Sequence, residues 1–432
     1  MKIFWINSGL LPDACHAIGH KEQVTAGWVN SLLQALLTVS DGRDEYFVLS
    51  FDHRPCDVQV GRVHYRSFGE KGCCTYGAHI PSSVIDAVRT SVAEFDPDII
   101  HVHGTEYFYG RLPADVYGGK PVVVSIQGIL TGLVPWLTGN LSQSEVFWHQ
   151  FNLRRIRYNA TIFNDQKDWY RSRLPQEAKI FRQHQYFMGR TDWDRKWLAA
   201  LNPKARYFSV NETLRPPFYV ANRRRPEMIR RHSIYCSAAA GYPLKGAHVL
   251  FRAVAMLKGK YPDIQVHVCA AEKLNSSRSL MMILKDDQYG SYLRSLIREL
   301  GIRENVVGLP FLSAEGVADE LARAELFVLP SYCENSPNSL GEAQLIGTPA
   351  IATYAGGIPS VLKNGIDGIL VQPGDVAALA AEIDGFFQHV DKAFTYAASA
   401  YESAIVRHDP KMNATRTFAV YDEILKQHAD AS

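Results

Sequence analysis

The sequence predicts an α/β protein built from two doubly wound domains, each a parallel sheet covered by helices. Three observations carry that prediction. Short apolar runs alternate with helix-length segments along the whole chain. The runs are too numerous for one comfortable open sheet, and 432 residues exceed one ordinary core. The series is broken once, by Arg215-Pro216-Pro217-Phe218-Tyr219 and Ala221-Asn222-Arg223-Arg224-Arg225-Pro226, which reads as an interdomain connector with Arg223–Arg225 on a solvated face rather than in a binding patch.

The first series of expected strands is Lys2–Ile6, Tyr46–Ser50, Val63–Phe68, Asp98–His103, Val122–Gln127, Ala160–Asn164, Tyr186–Gly189 and Tyr207–Asn211. The second is Ser233–Ser237, Gln265–Ala270, Val306–Phe311, Leu326–Pro330, Pro349–Thr353 and Gly368–Val371. Helical periodicity fills many of the gaps. Leu32, Leu33, Leu36 and Leu37 share a face, as do Val249, Leu250, Ala253, Val254 and Leu257. The boundary falls at 215/216. Ligands of doubly wound domains bind at the carboxyl ends of the strands, so a cleft between the two domains is the expected site.

Composition narrows the class. Hydrophobic residues are 47%, charged residues 21%, and the net charge is +2, which gives no reason to expect a nucleic-acid partner. The seven cysteines form no zinc or C-x-x-C spacing, and the adjacent Cys73-Cys74 reads as an accident of a polar loop. Scattered thiols predict a reducing, cytoplasmic setting. Ile3-Phe4-Trp5-Ile6 is too short for a signal-peptide core, and no apolar run reaches the ~18 residues of a membrane span. G-x-S-x-G, a Walker A loop and a G-x-G-x-x-G after the first strand are all missing, which argues against a hydrolase elbow, a P-loop enzyme and a nicotinamide dehydrogenase.

The chemistry concentrates in Ser331-Tyr332-Cys333-Glu334-Asn335-Ser336-Pro337-Asn338-Ser339-Leu340-Gly341-Glu342. Ser336 is the expected N-cap and Pro337 the first helical residue, where a missing N–H costs nothing. Glu334 then lies in the preceding loop, and Glu342 about two turns into the helix. The amides of Asn338 and Ser339 point out of a positive dipole end that suits a diphosphate. One carboxylate is placed for sugar hydroxyls and the other for a ribose, the pattern of a nucleotide-sugar site. Lys245, beside Gly246, stands at the carboxyl end of the second series' first strand, where an ammonium suits phosphate. A lone lysine there is more often a surface residue; the glutamate pair shifts the balance. Gly356-Gly357 closes another strand with backbone that can approach a ligand, or simply turn.

These elements resemble the signature of retaining glycosyltransferase family 4, of the GT-B fold. The matching residues are Glu334-x7-Glu342, Gly347-Thr348-Pro349, Gly356-Gly357-x-Pro359, Asn364-Gly365-x-x-Gly368, Lys245-Gly246 and, in the first half, His101-Val102-His103-Gly104. The resemblance covers nearly the whole chain, most strongly 230–375. It implies two Rossmann-like domains facing a central cleft: an acceptor-binding one over 1–215 plus a returning helical segment 407–432, and a donor-binding one over 216–406. It also implies that Glu334 holds donor-sugar hydroxyls and Glu342 the nucleotide ribose. Lys245 and the amides of Asn338 and Ser339 neutralise the diphosphate. His103 faces the donor sugar, and Gly27 lies against phosphates and acceptor. No metal or other cofactor is implied. The expected partners are a nucleotide-sugar donor, UDP by default, and a glycan or lipid-linked acceptor of surface or exopolysaccharide assembly.

The chain departs from the family at three points. Ala240 stands where the family places an arginine, and Arg190 is a candidate substitute. Gln127 replaces a second histidine, and the usual glycine pair of the first loop is Ala26-Gly27. Asp192-Trp193-Asp194 is a literal D-x-D, but it follows an expected strand and precedes a helix, so Asp192 reads as a cap or first-turn acid. In segment 140–185, Trp148, Phe151 and Arg155 fall at helical spacing. Two readings stand for it: a helix packing its aromatics on the sheet, or a peripheral contact with an anionic membrane at the inner face of the plasma membrane. Two other functional classes share the fold's chemistry, a nucleotide-sugar epimerase and a non-catalytic sugar-nucleotide-binding protein.

Overall fold

A computed structural model describes residues 1–21, 27–68, 79–149, 161–220, 224–237, 241–275 and 288–431. Thr25-Ala26, Cys73-Cys74, Phe151, Arg155, residue 160, Asn222-Arg223 and Ala240 lie outside the described residues. The chain divides into two compact units. The first is Met1–Thr131, Tyr170–Arg215 and Arg407–Ser432; the second is Gly132–Trp169 and Pro216–Val406.

The first unit holds eight strands: β1 (Lys2–Asn7), β2 (Glu45–Ser50), β3 (Pro55–Val60), β4 (Val63–Phe68), β5 (Ile99–His103), β6 (Val122–Ser125), β7 (Tyr186–Gly189) and β8 (Arg206–Ser209). Their order is β3-β4-β2-β1-β5-β6-β7-β8, parallel throughout except for the β3–β4 pair. Alternate residues of β1 feed opposite cores. Ile3 and Trp5 pack with the helix Gly27–Val39 and with Ala414, Val420, Tyr421 and Ile424. Phe4 and Ile6 pack with Val84, Val88 and Val92 of the helix Ser82–Phe95. A strand with both faces buried reads as a continuous apolar run, which is why β1 is legible.

The second unit holds β9 (Arg230–Cys236), β10 (Gln265–Val268), β11 (Val306–Gly308), β12 (Ala324–Leu329), β13 (Ala350–Thr353) and β14 (Ile369–Val371), ordered β11-β10-β9-β12-β13-β14 and all parallel. The order runs outward from β9 in one direction and then resumes beside it with β12. That reversal is the switch point of a doubly wound sheet, and it leaves a crevice at the carboxyl ends of β9 and β12.

Four expectations are corrected. β3 is absent from the expected strands, because Pro55, Asp57 and Gln59 dilute its pattern. It survives as an antiparallel edge strand, where proline at the first position costs no ladder bond. The strand expected over 160–164 is the start of a helix, Ile162–Asp168, capped by Thr161, whose Oγ1 accepts from Asn164 N at 3.1 Å. Residues 132–169, expected in the first domain, pack with the second unit: Gln288 Oε1 accepts from Ile162 N at 2.9 Å, and Gly139 lies so close to Pro243 that a Cβ would meet its carbonyl oxygen at 2.3 Å. On this segment Trp148 is 77% exposed, so its indole does not pack on a sheet. Arg224, expected on a solvated linker face, is partly buried and donates through Nη1 to the carbonyls of Leu321 and Ala322, at the end of the helix Ala314–Arg323. The returning helical segment over 407–432 is, as expected, the helix Pro410–Ala431.

Short polar ties fix the carboxyl-end loops of the first unit. Ser50 Oγ donates to Asn7 Oδ1 at 2.7 Å, and Asp52 accepts from Arg54 Nε and Nη2 at 2.8 Å each. Burial raises the Asp52 carboxyl, but the Arg54 bonds outweigh it and hold it at about 2 against an ordinary 3.8. A pKa lowered by folding stabilises the protein above the ordinary value, and that stabilisation disappears as pH falls toward 2. The melting temperature is therefore expected to drop between pH 4 and pH 2 more steeply in the wild type than in Asp52→Asn, by the equivalent of about 1–2 kcal/mol. Parallel melting curves across that window would count against the Arg54 tie.

Candidate active site

The switch point of the second unit gathers the predicted residues. After β9 the chain enters the 3₁₀ turn Pro243–Lys245 and leaves it through Gly246, at φ +73°. A Cβ at Gly246 would lie 2.0 Å from the carbonyl oxygen of Pro330, so only glycine allows the loops after β9 and β12 to touch. Tyr332 N then donates to Leu244 O at 2.8 Å. This backbone contact delivers the Lys245 ammonium to Glu334 Oε1 at 2.6 Å. Ser331 Oγ donates to the same oxygen at 2.8 Å. Lys245 keeps a third of its surface exposed and Glu334 about an eighth, at 33% and 12%. At that exposure the pair contributes about 1 kcal/mol or less to stability, so packing does not explain it.

Gly356 and Gly357 close the other side. Gly357 N donates to Glu334 O at 2.8 Å, and a Cβ at Gly356, at φ +55°, would lie 1.9 Å from that oxygen. The turn and the close approach are one feature here: the glycines grip the backbone of Glu334 and leave its carboxylate to Lys245 and Ser331.

The acidic helix differs from expectation in two details. It runs Asn338–Ile346, with Pro337 rather than Ser336 at the N-cap and no side-chain cap. The Pro337 carbonyl accepts from Leu340 N at 3.0 Å, and this bond rather than a serine hydroxyl sets the first turn. Asn338 and Ser339 therefore occupy the positions whose amides have no intrahelical partner. Glu342 is the fifth helical residue, just past one turn rather than two, and is buried. Burying a carboxylate there is costly unless polar groups receive it.

The first unit assembles a second group. His103 ends β5 and is 2% exposed, with neither ring nitrogen hydrogen-bonded among the described residues. Trp5, Trp28 and His101 enclose its ring at centroid distances of 4.3, 5.5 and 3.9 Å. Burial, with His101 and Arg190 nearby, pushes its pKa well down, so it is a neutral imidazole. Gly27 opens the helix that supplies Trp28 and sits against Arg215, where a Cβ would be 3.3 Å from Cδ. Arg190 stacks on Trp28 at 5.2 Å, pairs with Glu212 at 2.9 Å and donates to Ile126 O at 3.0 Å. Gln127, its amide oxygen turned inward, accepts from Arg190 Nη2 at 2.5 Å. The guanidinium offered as a substitute for the missing family arginine is thus already neutralised by a buried carboxylate.

Asp192 and Asp194 do not form a metal pair. Asp192 bonds Arg195 at 2.8 Å in the first helical turn, while Asp194 completes a capping box with Thr191 and accepts from Tyr207 Oη at 2.7 Å. Among the described residues no three His, Cys, Asp or Glu side chains cluster as metal ligands. No helix among them is long and apolar enough to cross a membrane.

Sequence reasoning found Gly246 beside Lys245 but missed two contributors: Ser331 and the segment reaching Gly139. A serine three residues before the glutamate carries no spacing signal. Gly139, with φ +57° against Pro243, brings in a part of the chain more than 100 positions from Lys245.

With that geometry in hand, comparison with known proteins is most informative for the second unit. Residues 222–401 match the family model described as glycosyl transferases group 1. This region is similar to a glycosyl transferases group 1 domain. The D-inositol 3-phosphate glycosyltransferase of Mycobacterium marinum is 34% identical over 146 residues, 34% of this chain and 28% of that protein. The chain thus matches about a third or less of the length of such curated relatives. Among solved structures, sucrose-phosphate synthase from Thermosynechococcus elongatus has a TM-score of 0.71 at 16% identity, covering 99% of this chain and 100% of the other. Anabaena Alr3699/HepE, solved in complex with UDP-glucose, has a TM-score of 0.64 at 16% identity, covering 97% and 100%. The fold is GT-B.

The grip on Glu334 gives a direct test. Gly356→Ala is expected to displace the Glu334 loop and lower the melting temperature by several degrees, because backbone rather than a flexible side chain must yield. Gly385→Ala, with open space around it, is the control and should melt like the wild type or slightly higher. Equal melting of the two variants would show that the glycine contact is not under strain.

Proposed function

We propose that the protein is a retaining, metal-independent glycosyltransferase that moves a sugar from a nucleoside diphosphate to a hydroxyl of a glycan or lipid-linked acceptor. The observation that carries the reading is the Lys245–Glu334–Ser331 constellation, gripped by Gly356-Gly357 beside the start of the helix Asn338–Ile346. The group 1 similarity and the HepE complex support a UDP-sugar as the donor.

The chemical problem is the departure of a diphosphate. Lys245 supplies a mobile positive charge and the Asn338 and Ser339 amides supply fixed donors, so the developing charge is stabilised without a metal. An incoming diphosphate competes with Glu334 for Lys245. The freed carboxylate then accepts from sugar hydroxyls, while Glu342 takes the ribose. Preorganised donors of this kind are worth about 3 kcal/mol each at the transition state. The acceptor hydroxyl attacks on the face that the leaving group vacates, and a phosphate oxygen takes its proton. His103, neutral and buried, offers an uncharged polar contact to the donor sugar. The exposed Phe147 and Trp148 support a peripheral contact with an anionic membrane, in line with surface-polysaccharide assembly at its inner face.

UDP-glucose, UDP-N-acetylglucosamine and GDP-mannose are the first donors to screen by thermal shift, and one of them is expected to raise the melting temperature. Transfer from it, with D-inositol 3-phosphate and oligosaccharides as acceptors, should survive EDTA. Full dependence on Mg²⁺ or Mn²⁺ overturns the metal-independent step, and epimerisation of donor incubated alone replaces transfer by isomerisation. Lys245→Ala and Glu334→Ala should each cut turnover by about 100-fold or more while melting within a few degrees of the wild type. Wild-type rates in both variants would place the site elsewhere.

A further inference from the structure

A second set of contacts lies beneath His103, on residues to which the proposed reaction assigns no part. His101, two positions earlier on β5, is fully buried in the same core as the helix Pro410–Ala431. Its Nδ1 lies 2.6 Å from Tyr421 Oη, on that helix, and its Nε2 lies 2.7 Å from Ser125 Oγ, at the end of β6. Trp5 Nε1 lies 3.3 Å from the same tyrosine oxygen. Donor and acceptor roles follow from the chain of contacts. Indole N–H can only donate, so Tyr421 Oη accepts from Trp5. Its own proton then goes to His101 Nδ1, and His101 Nε2–H donates to Ser125 Oγ. His101 is thereby held as the Nε2–H tautomer. Burial, with Arg190 adding to it, lowers its pKa to about 3, so it stays uncharged.

This locked ring is the floor under His103. The two imidazoles stack at 3.9 Å with 31° between their planes, and Trp5 touches both rings. His103 has no hydrogen bond of its own among the described residues to set its χ angles. Its orientation depends on the rings around it, of which His101 is held by hydrogen bonds at both nitrogens and Trp5 through its one N–H to the same Tyr421 hydroxyl.

We propose that Tyr421 is a positioning residue for His103, acting through the His101 imidazole: its hydroxyl fixes His101, and His101 fixes the plane and tilt of His103. The proposal rests on the reading that His103 faces the donor sugar. It adds that a residue more than 300 positions away in sequence sets how well His103 does so.

The test pairs a spectroscopic readout with a kinetic one. Tyr421→Phe keeps the ring in the core and removes only the hydroxyl. In ¹⁵N-histidine-labelled protein, the wild type should show His101 as a pure Nε2–H tautomer, assigned by comparison with His101→Asn. Tyr421→Phe should shift the ring resonances of both His101 and His103. It should also lower the rate of UDP release from UDP-glucose about 10-fold, with the donor KM unchanged within twofold. Ile424→Val trims the same helix in the same core without touching the relay, and should lower stability with little change in either readout. Unmoved His103 resonances in Tyr421→Phe overturn the proposal, as does an equal loss of rate in Ile424→Val. A moved His103 with no UDP release by the wild-type protein sinks the donor reading alone. Wild-type release by His103→Ala does the same, and neither touches the positioning contact.

Discussion

Everything at the proposed donor site depends on backbone touching backbone. Gly246 against Pro330 and Gly356 against Glu334 are approaches that no side-chain-bearing residue permits. They pull together three loops that follow β9, β12 and β13, which are neighbours in the sheet but separated by about 90 and 20 positions in sequence. The Lys245–Glu334 pair is a result of that closure and does little to hold it. Side chains on glycine-pinned loops need no large interaction energy to stay in place, which leaves Lys245 free to exchange partners.

The two units use different means to fix their polar groups. In the second, the key carboxylate is set by hydrogen bonds and glycine contacts near the surface. In the first, His103 is set by burial among aromatic rings, with hydrogen bonds one layer further down. The first arrangement suits groups that must rearrange around a charged ligand. The second suits a neutral group that must keep one orientation in a low-dielectric setting.

The fold was legible because parallel strands buried on both faces read as unbroken apolar runs. β1, β7 and β12 are of this kind, and each lies within a residue or two of its expected bounds. Elements without that signature were not legible. β3 is an exposed edge, and the helix at Ile162 begins with a Thr-Ile-Phe run that looks like a strand until Thr161 caps it. At the site, Glu334 stood out from its own loop motif and Gly356-Gly357 from theirs, and the two loops meet in the structure. The Ser331 contact, the neutralisation of Arg190 by Glu212 and the place of Tyr421 under His101 were not legible. The first is local but carries no spacing signal, and the other two depend on pairings between separate elements that no local pattern encodes.

The division of the chain carries a consequence for how the protein is made. Residues 407–432 belong to the first unit yet are synthesised after the whole of the second. Until they emerge from the ribosome, the apolar side of the first sheet lacks Ala414, Val420, Tyr421 and Ile424, and Trp5 and His101 lack the phenol that satisfies them. The amino-terminal half therefore waits, partly uncovered, for the longest stretch of translation. A frameshift or early stop just after residue 406 would leave the second unit complete and still deprive its neighbour of a finished core.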